Sequence, residues 1–303
     1  MRVESVRREI DEALFPGFRS LAVTATNGAS IAAVVGGEGP PLLLLHGYPQ
    51  THAIWHRAAA ALARHFTVVA TDLRGYGDSH RPASDATHAP YSKRAMAAEQ
   101  RQVMQALGHE RFHLVGHDRG GRVAHRLALD HPGAVQTLTV LDIAPTLHMY
   151  EHTTEAFARA YYHWFFLIRP APLPETLIGG APDAFLSAHM ARTPAGLEIF
   201  DPRALAEYRR HFRNPAMLHG SCEDYRASAG IDLDHDRASL DTRLAMPLLA
   251  LWGAQGAVGR CFDVLAAWRE RAADVRGEAL PCGHYIPEEQ PDALVAALLA
   301  HCR

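Results

Sequence analysis

Between Phe112 and Arg126 the sequence reads FHLVGHDRGGRVAHR. An apolar run leads into Gly116-His117-Asp118-Arg119-Gly120, and a helix-compatible stretch follows. Glycines two residues either side of an acid let the chain fold tightly and push the central side chain outward. The first amides of a following helix then favour negative charge at that point. A glycine-flanked aspartate alone is more often a turn or a helix cap; the strand before and the helix after make Asp118 a candidate nucleophile. A carboxylate nucleophile narrows the chemistry. Attack on an ester or amide carbonyl would give an anhydride, whereas attack on a saturated carbon bearing a leaving group gives an ordinary alkyl ester. Water must next attack the Asp118 carbonyl, so a general base and an oxyanion hole are required.

The candidate base is His284, in Leu280-Pro281-Cys282-Gly283-His284-Tyr285, after the last expected strand and before the final helical stretch. The acid that orients it is assigned to Asp142, at the carboxyl end of the run Val140-Leu141-Asp142-Ile143, with Asp263 as the fallback. The oxyanion hole is expected from two backbone amides, those of Arg119 and of Tyr48 in Leu45-His46-Gly47-Tyr48-Pro49. His46 reads as structural, and so does the loop Asp72 to Ser79.

Arg119 and Arg122 are three residues apart, so on a helix they neighbour each other on one face. Arginine opposes the dipole at a helix N-terminus, so two of them there invite a reason. A carboxylate attacking a carbon beside a substrate carboxylate meets like-charge repulsion, and two guanidinium groups would hold that anion and offset it. Surface salt bridges are the plainer alternative. A departing halide needs hydrogen-bond donors, which the aromatic-rich middle of the chain supplies in His163, Trp164 and Tyr225, although the run Tyr161 to Phe166 also reads as packing.

The elements that must position these residues can be read from pattern. Short apolar runs at Leu21–Thr24, Ile31–Val35, Leu42–Leu45, Thr67–Thr71, Phe112–Val115 and Leu138–Leu141 alternate with helical stretches such as Ser92–Leu107 and Arg122–Asp130. Two more follow at Leu248–Trp252 and Gly277–Leu280, and Asn27-Gly28 reads as a hairpin turn. Eight strands are thus predicted, in a mostly parallel sheet with helices on both faces. Residues 146–243 break the alternation with aromatics, histidine and proline. They are expected to form a helical cap inserted after the sixth strand, over a core of residues 1–145 and 244–303.

Of the 303 residues, 48% are hydrophobic and 21% charged, with a formal charge of −3, so nothing global recruits nucleic acid or an acidic membrane. The four cysteines form no CxxC pair and the twenty histidines no metal-ligand spacing. Neither a metal nor a cofactor is expected. The N-terminus lacks a signal-like apolar segment, and no run approaches the ~20 apolar residues of a membrane span, so a cytoplasmic location is expected.

In order along the chain, HGYPQTHAIWHR, GHDRGGRV, LDIAPT, YYHWFFLIRPAPLPE, CEDYRA and GHYIPEE resemble the motifs of fluoroacetate dehalogenases within the α/β-hydrolases. The resemblance implies Asp118 as nucleophile, His284 as base and Asp142 as acid. It likewise implies Arg119 and Arg122 at the substrate carboxylate, His163, Trp164 and Tyr225 around the halide, and a homodimer. One departure is Tyr48, where that family would carry phenylalanine. Epoxide hydrolysis is the nearest rival, with Tyr225 and Tyr161 or Tyr162 as proton donors; a non-catalytic binding protein on this scaffold is a remote one.

Overall fold

The computed structural model describes residues 1–192 and 195–302. Nine strands form one sheet: β1 (Arg2–Ser5), β2 (Arg19–Thr24), β3 (Ser30–Gly36), β4 (Pro41–Leu45), β5 (Thr67–Thr71), β6 (Phe112–His117), β7 (Val135–Leu141), β8 (Leu248–Gly253) and β9 (Val275–Leu280). Their spatial order is β1-β2-β3-β5-β4-β6-β7-β8-β9. Pairing is antiparallel from β1 to β5 and parallel from β5 through β9. Eight of these strands coincide with the apolar runs of the sequence. The ninth, β1, was not anticipated: RVES is short, polar and largely exposed, so it carries no hydrophobic signal and is held by backbone pairing to β2.

The sheet is buried where it matters. Leu42 to Leu45 and all of β6 are enclosed, as continuous apolar strands covered on both faces must be. Helices Lys93–Ala106 and Arg119–Asp130 pack together against it. The order reverses at β4: the chain moves outward to β5 and then returns to place β6 on the other side. Loops leaving β4 and β6 therefore diverge from adjacent carboxyl ends, which is where a ligand crevice forms in an open α/β sheet. Between β7 and β8 the chain makes a run of helices from Thr146–Glu151 to Ile231–Arg237, the predicted insertion.

Candidate active site

Asp118 follows β6 directly and caps the Arg119–Asp130 helix with φ +46°, a left-handed conformation rare outside glycine. The surrounding glycines are there because nothing larger fits. A Cβ on Gly116 would lie 2.5 Å from Gly120 O, one on Gly120 2.4 Å from His46 O, and one on Gly121 2.6 Å from Ile143 Cδ1. The helix begins at Arg119, three residues earlier than the sequence pattern suggested, so its open N-terminus abuts the carboxylate.

The loop after β4 comes in from the other side. Tyr48 N donates to Asp118 Oδ1 at 2.9 Å. Gly47 permits that approach, since a Cβ there would sit 2.5 Å from Asp118 Cβ. His46 is structural as expected, its Nε2 accepting from Leu73 N at 3.0 Å and so tying this loop to the one after β5. That second loop is braced by buried Asp72, which accepts from His52 and from Asp78 N.

Asp142 leaves β7 beside Asp118, because His117 and Leu141 are paired across the strands. Its Oδ1 accepts from Gly253 N at 3.0 Å and its Oδ2 lies 2.5 Å from His284 Nδ1. A carboxylate only accepts, so Nδ1 carries the proton and Nε2 presents a lone pair. Asp263, the fallback, instead caps the Val264–Arg269 helix by accepting from Ala266 N. Glu289, which sequence reading passed over, clasps the His284 turn by accepting from Gly283 N at 2.8 Å and Tyr285 N at 2.9 Å.

Burial alone would raise the Asp118 carboxyl, but His284 and the guanidinium groups of Arg122 and Arg119 hold it well below the usual carboxylate range. His117 is pushed down to about 3, chiefly by burial and by His284, so it is neutral and donates from Nε2 to His284 O. The site is thus a buried, ionised carboxylate in a positive surround.

The two arginines are not equivalent, which the sequence did not foretell. Arg119 is fully enclosed; Nε and Nη2 fork onto Asp224 at 2.9 and 2.7 Å, and Nη2 also donates to Ser228 Oγ. Among the described residues, only Nη1 is left without a partner. Asp224 also takes Lys93 Nζ and the Tyr76 hydroxyl, so it balances two buried cations. Arg122 has no carboxylate partner among the described residues: Nη1 donates to Ala144 O and Thr146 Oγ1, Nη2 faces Met149 Sδ, and buried Nε is unpartnered. Burial and the Arg119 charge depress its pKa.

His163, Trp164 and Tyr225 are all buried, and His163 Nδ1, Trp164 Nε1 and the Tyr225 hydroxyl lack partners among the described residues. Arg122 stacks 4.5 Å over the Trp164 ring and Arg119 4.1 Å over Tyr225, which brings arginines and candidate halide donors into one cluster. Tyr48 joins it: its ring lies 5.3 Å from Tyr225 and 6.1 Å from His163, and its hydroxyl is buried without a partner. Burying this many polar atoms unpaired costs about 1–3 kcal/mol each, which an anionic ligand would recover. A possible cation cluster elsewhere, Asp78, Glu207 and His211, is already neutralised by Arg210 and Arg8.

In the short helix Ile286–Glu289 that follows His284, burial pushes the Glu288 carboxyl up to about 8, with the Tyr208 hydroxyl donating to Oε1 at 2.6 Å. A carboxyl whose folded pKa is raised contributes stability that is complete below its unfolded pKa and lost as pH rises through the folded value. The stability of the native chain against thermal unfolding should therefore fall between about pH 5 and pH 9, by on the order of a few kcal/mol. Glu288→Gln should flatten that slope; a native-like slope in the variant would assign it to another group.

A family model described as alpha/beta hydrolase fold matches residues 40–291, and the chain belongs to that family. Within it, 280 residues are 48% identical to a fluoroacetate dehalogenase from Burkholderia sp, covering 92% of each chain. A soluble epoxide hydrolase from Corynebacterium sp. (strain C12) is 32% identical over 277 residues, 90% of this chain and 93% of its own. Among solved structures, an alpha/beta hydrolase from Nostoc sp PCC 7120 superposes with a TM-score of 0.93 at 56% identity, covering 95% of this chain and 99% of the other.

Proposed function

We propose that this chain is a hydrolytic dehalogenase of small 2-haloacids, converting fluoroacetate or chloroacetate to glycolate and halide through an ester on Asp118. The observation that carries the reading is Arg122, a buried guanidinium that makes no direct ion pair among the described residues and stacks on Trp164, its charge felt by the Asp118 carboxylate. A buried charge without a directly bonded counter-ion is costly until an anion pairs with it. A haloacid carboxylate supplies that anion, and its halogen then meets the unpartnered donors of His163, Trp164 and Tyr225.

In this mechanism Asp118 Oδ2 displaces halide from the carbon next to the substrate carboxylate, while Arg122 Nε and Arg119 Nη1 hold that carboxylate. Electrons of the carbon–halogen bond leave with the halide. His284 Nε2 then takes a proton from water, whose oxygen attacks Asp118 Cγ. Charge developing on Oδ1 is met by the Tyr48 amide already aimed at it, and by the Arg119 amide at the helix N-terminus. The tetrahedral intermediate then collapses by breaking the Cγ–Oδ2 bond, and His284 returns its proton to the departing Oδ2. Glycolate leaves with that oxygen, and Asp118, now carrying an oxygen from water, releases its remaining proton to solvent.

The identity to the Burkholderia fluoroacetate dehalogenase supports this reading over epoxide opening, for which a neutral substrate would leave Arg122 unpaired. The epoxide hydrolase relative and the free Tyr225 hydroxyl keep the second reading testable. Halide release from haloacetates, without turnover of styrene oxide, is the expected result; the reverse would overturn the proposal. Arg122→Gln should raise KM for chloroacetate about 10- to 100-fold, the loss of one charge-assisted contact of ~1.5–3 kcal/mol. Unchanged kinetics would remove Arg122 from the mechanism.

The same proposal takes residues 146–243 as a cap closing over a hydrolase core of 1–145 and 244–303. It also takes the chain to be a cytoplasmic homodimer. Exposed Tyr162, Leu173 and Leu177 give the insertion an apolar outer surface that supports self-association. Free thiols at all four cysteines suit a reducing compartment, and no helix among the described residues is long and apolar enough to cross a membrane.

A further inference from the structure

His284 faces a cavity of about 440 Å³ whose lining does not include Asp118. Its wall carries three arginines, Arg159, Arg192 and Arg260, together with Tyr161 and Tyr162, and no Asp or Glu among the described residues. Arg159 shares its charge with Glu155, on an exposed helix. Arg260 is exposed and makes no ion pair among the described residues.

Arg192 is the informative one. It is exposed at the cavity wall, and each of its partners among the described residues is neutral: Nε donates to His189 O at 2.7 Å, Nη1 to Ala160 O at 3.0 Å, and Nη2 to His189 Nε2 at 3.0 Å, which fixes its orientation. Burial holds the His189 imidazole neutral, so it accepts at Nε2 without cancelling charge. A guanidinium has five N–H groups, and these contacts account for three. The remaining edge belongs to a positively charged group fixed in the cavity wall, 5.7 Å from the Tyr161 ring centroid. Helix capping explains one of its three bonds, the one to the carbonyl near the end of Pro182–Met190; the other two hold the charged group against the cavity.

We propose that Arg192, with Arg260 and Arg159 at the rim, forms an outer binding site for small carboxylate anions on the way to His284. It gathers the anion from solvent and passes it to the inner pair Arg122 and Arg119. A low-dielectric cleft lined by one sign of charge focuses the field and raises the entry rate of an oppositely charged ligand. The identity of the anion as a haloacid rests on the function proposed above; the anion site itself does not.

Two measurements separate these claims. In an Asp118→Asn background, where no ester can form, entry of fluoroacetate is followed by stopped-flow tryptophan fluorescence, with Trp164 beside the inner site as reporter. At low ionic strength, adding Arg260→Glu, or Arg159→Gln with Arg260→Gln, should slow entry about 5- to 20-fold. Both side chains are exposed, so folding is not at issue. The difference should shrink in about 0.3 M potassium gluconate, where the Debye length falls to roughly 6 Å. In the active enzyme the same changes should lower kcat/KM for chloroacetate by a similar factor and leave kcat unchanged. Arg192→Lys should keep most of the entry rate that Arg192→Gln loses. A native entry rate and salt dependence in Arg260→Glu, with haloacid turnover intact, would overturn the outer site alone. Salt-dependent entry without halide release from any haloacid by the native chain would instead overturn the dehalogenase reading and keep the outer site.

Discussion

Replacing Asp118 by Asn should abolish halide release, lowering kcat for chloroacetate by about 10⁴-fold or more, equivalent to roughly 5 kcal/mol or more of barrier. The substitution is close to isosteric. Asn is among the few residues that tolerate φ near +46°, and its carbonyl oxygen can still accept from Tyr48 N, which lies 2.9 Å from Oδ1 in the native chain. What disappears is the anionic oxygen proposed to attack carbon, on a carboxyl that His284, Arg122 and Arg119 hold well below the usual carboxylate range. Removing that charge should, if anything, tighten substrate binding, because the repulsion between nucleophile and substrate carboxylate is gone. Loss of kcat with an equal or lower KM is therefore the signature. A halide-electrode assay on freshly prepared variant reads it directly, and retention of even a tenth of native activity would show that another group attacks the carbon.

Much of this site is legible in the sequence because its constraints are local. The glycines around Asp118 are set by contacts between neighbours on one elbow, and Asp142 by its place at the end of a strand adjacent in the sheet. What escapes is pairing at long sequence separation. Arg119 and Arg122 look alike at helical spacing, but Asp224, 105 residues away, takes two of Arg119's nitrogens and leaves Arg122 as the unpaired cation. Lys93 reaches the same carboxylate from 131 residues away, so the charge balance under the pocket could be seen only once the chain is folded. The only hint was an acid directly before Tyr225 in Cys222-Glu223-Asp224-Tyr225-Arg226. Arg192 has no motif around it, because its partners are carbonyls and one imidazole. The edge strand β1 was missed for a different reason: backbone bonds hold it, and backbone bonds leave no side-chain pattern.

His284→Asn should separate the two halves of the reaction. Displacement by Asp118 needs no base, so the first halide should still leave at a rate near native. Ester hydrolysis needs a deprotonated water, and the group proposed to provide it is His284, whose Nδ1 lies 2.5 Å from Asp142 Oδ2 and whose Nε2 is left to take the proton. Asn has no such lone pair in reach. Chloroacetate should thus give a burst of one halide per active site, followed by turnover slowed about 10²- to 10⁴-fold. The trapped carboxymethyl ester adds about 58 Da to the peptide containing Asp118, visible by mass spectrometry. The native enzyme supplies the complementary test. In a single turnover in heavy-oxygen water, the label should enter the Asp118 carboxylate and leave the first glycolate unlabelled, since glycolate carries off the old Oδ2. Label appearing in that first glycolate would mean that water itself displaces the halide. The Tyr48 amide, already bonded to Oδ1, would then have no oxyanion to stabilise, and the conformation that holds the Asp118 backbone at φ +46° against it would serve no step of the reaction.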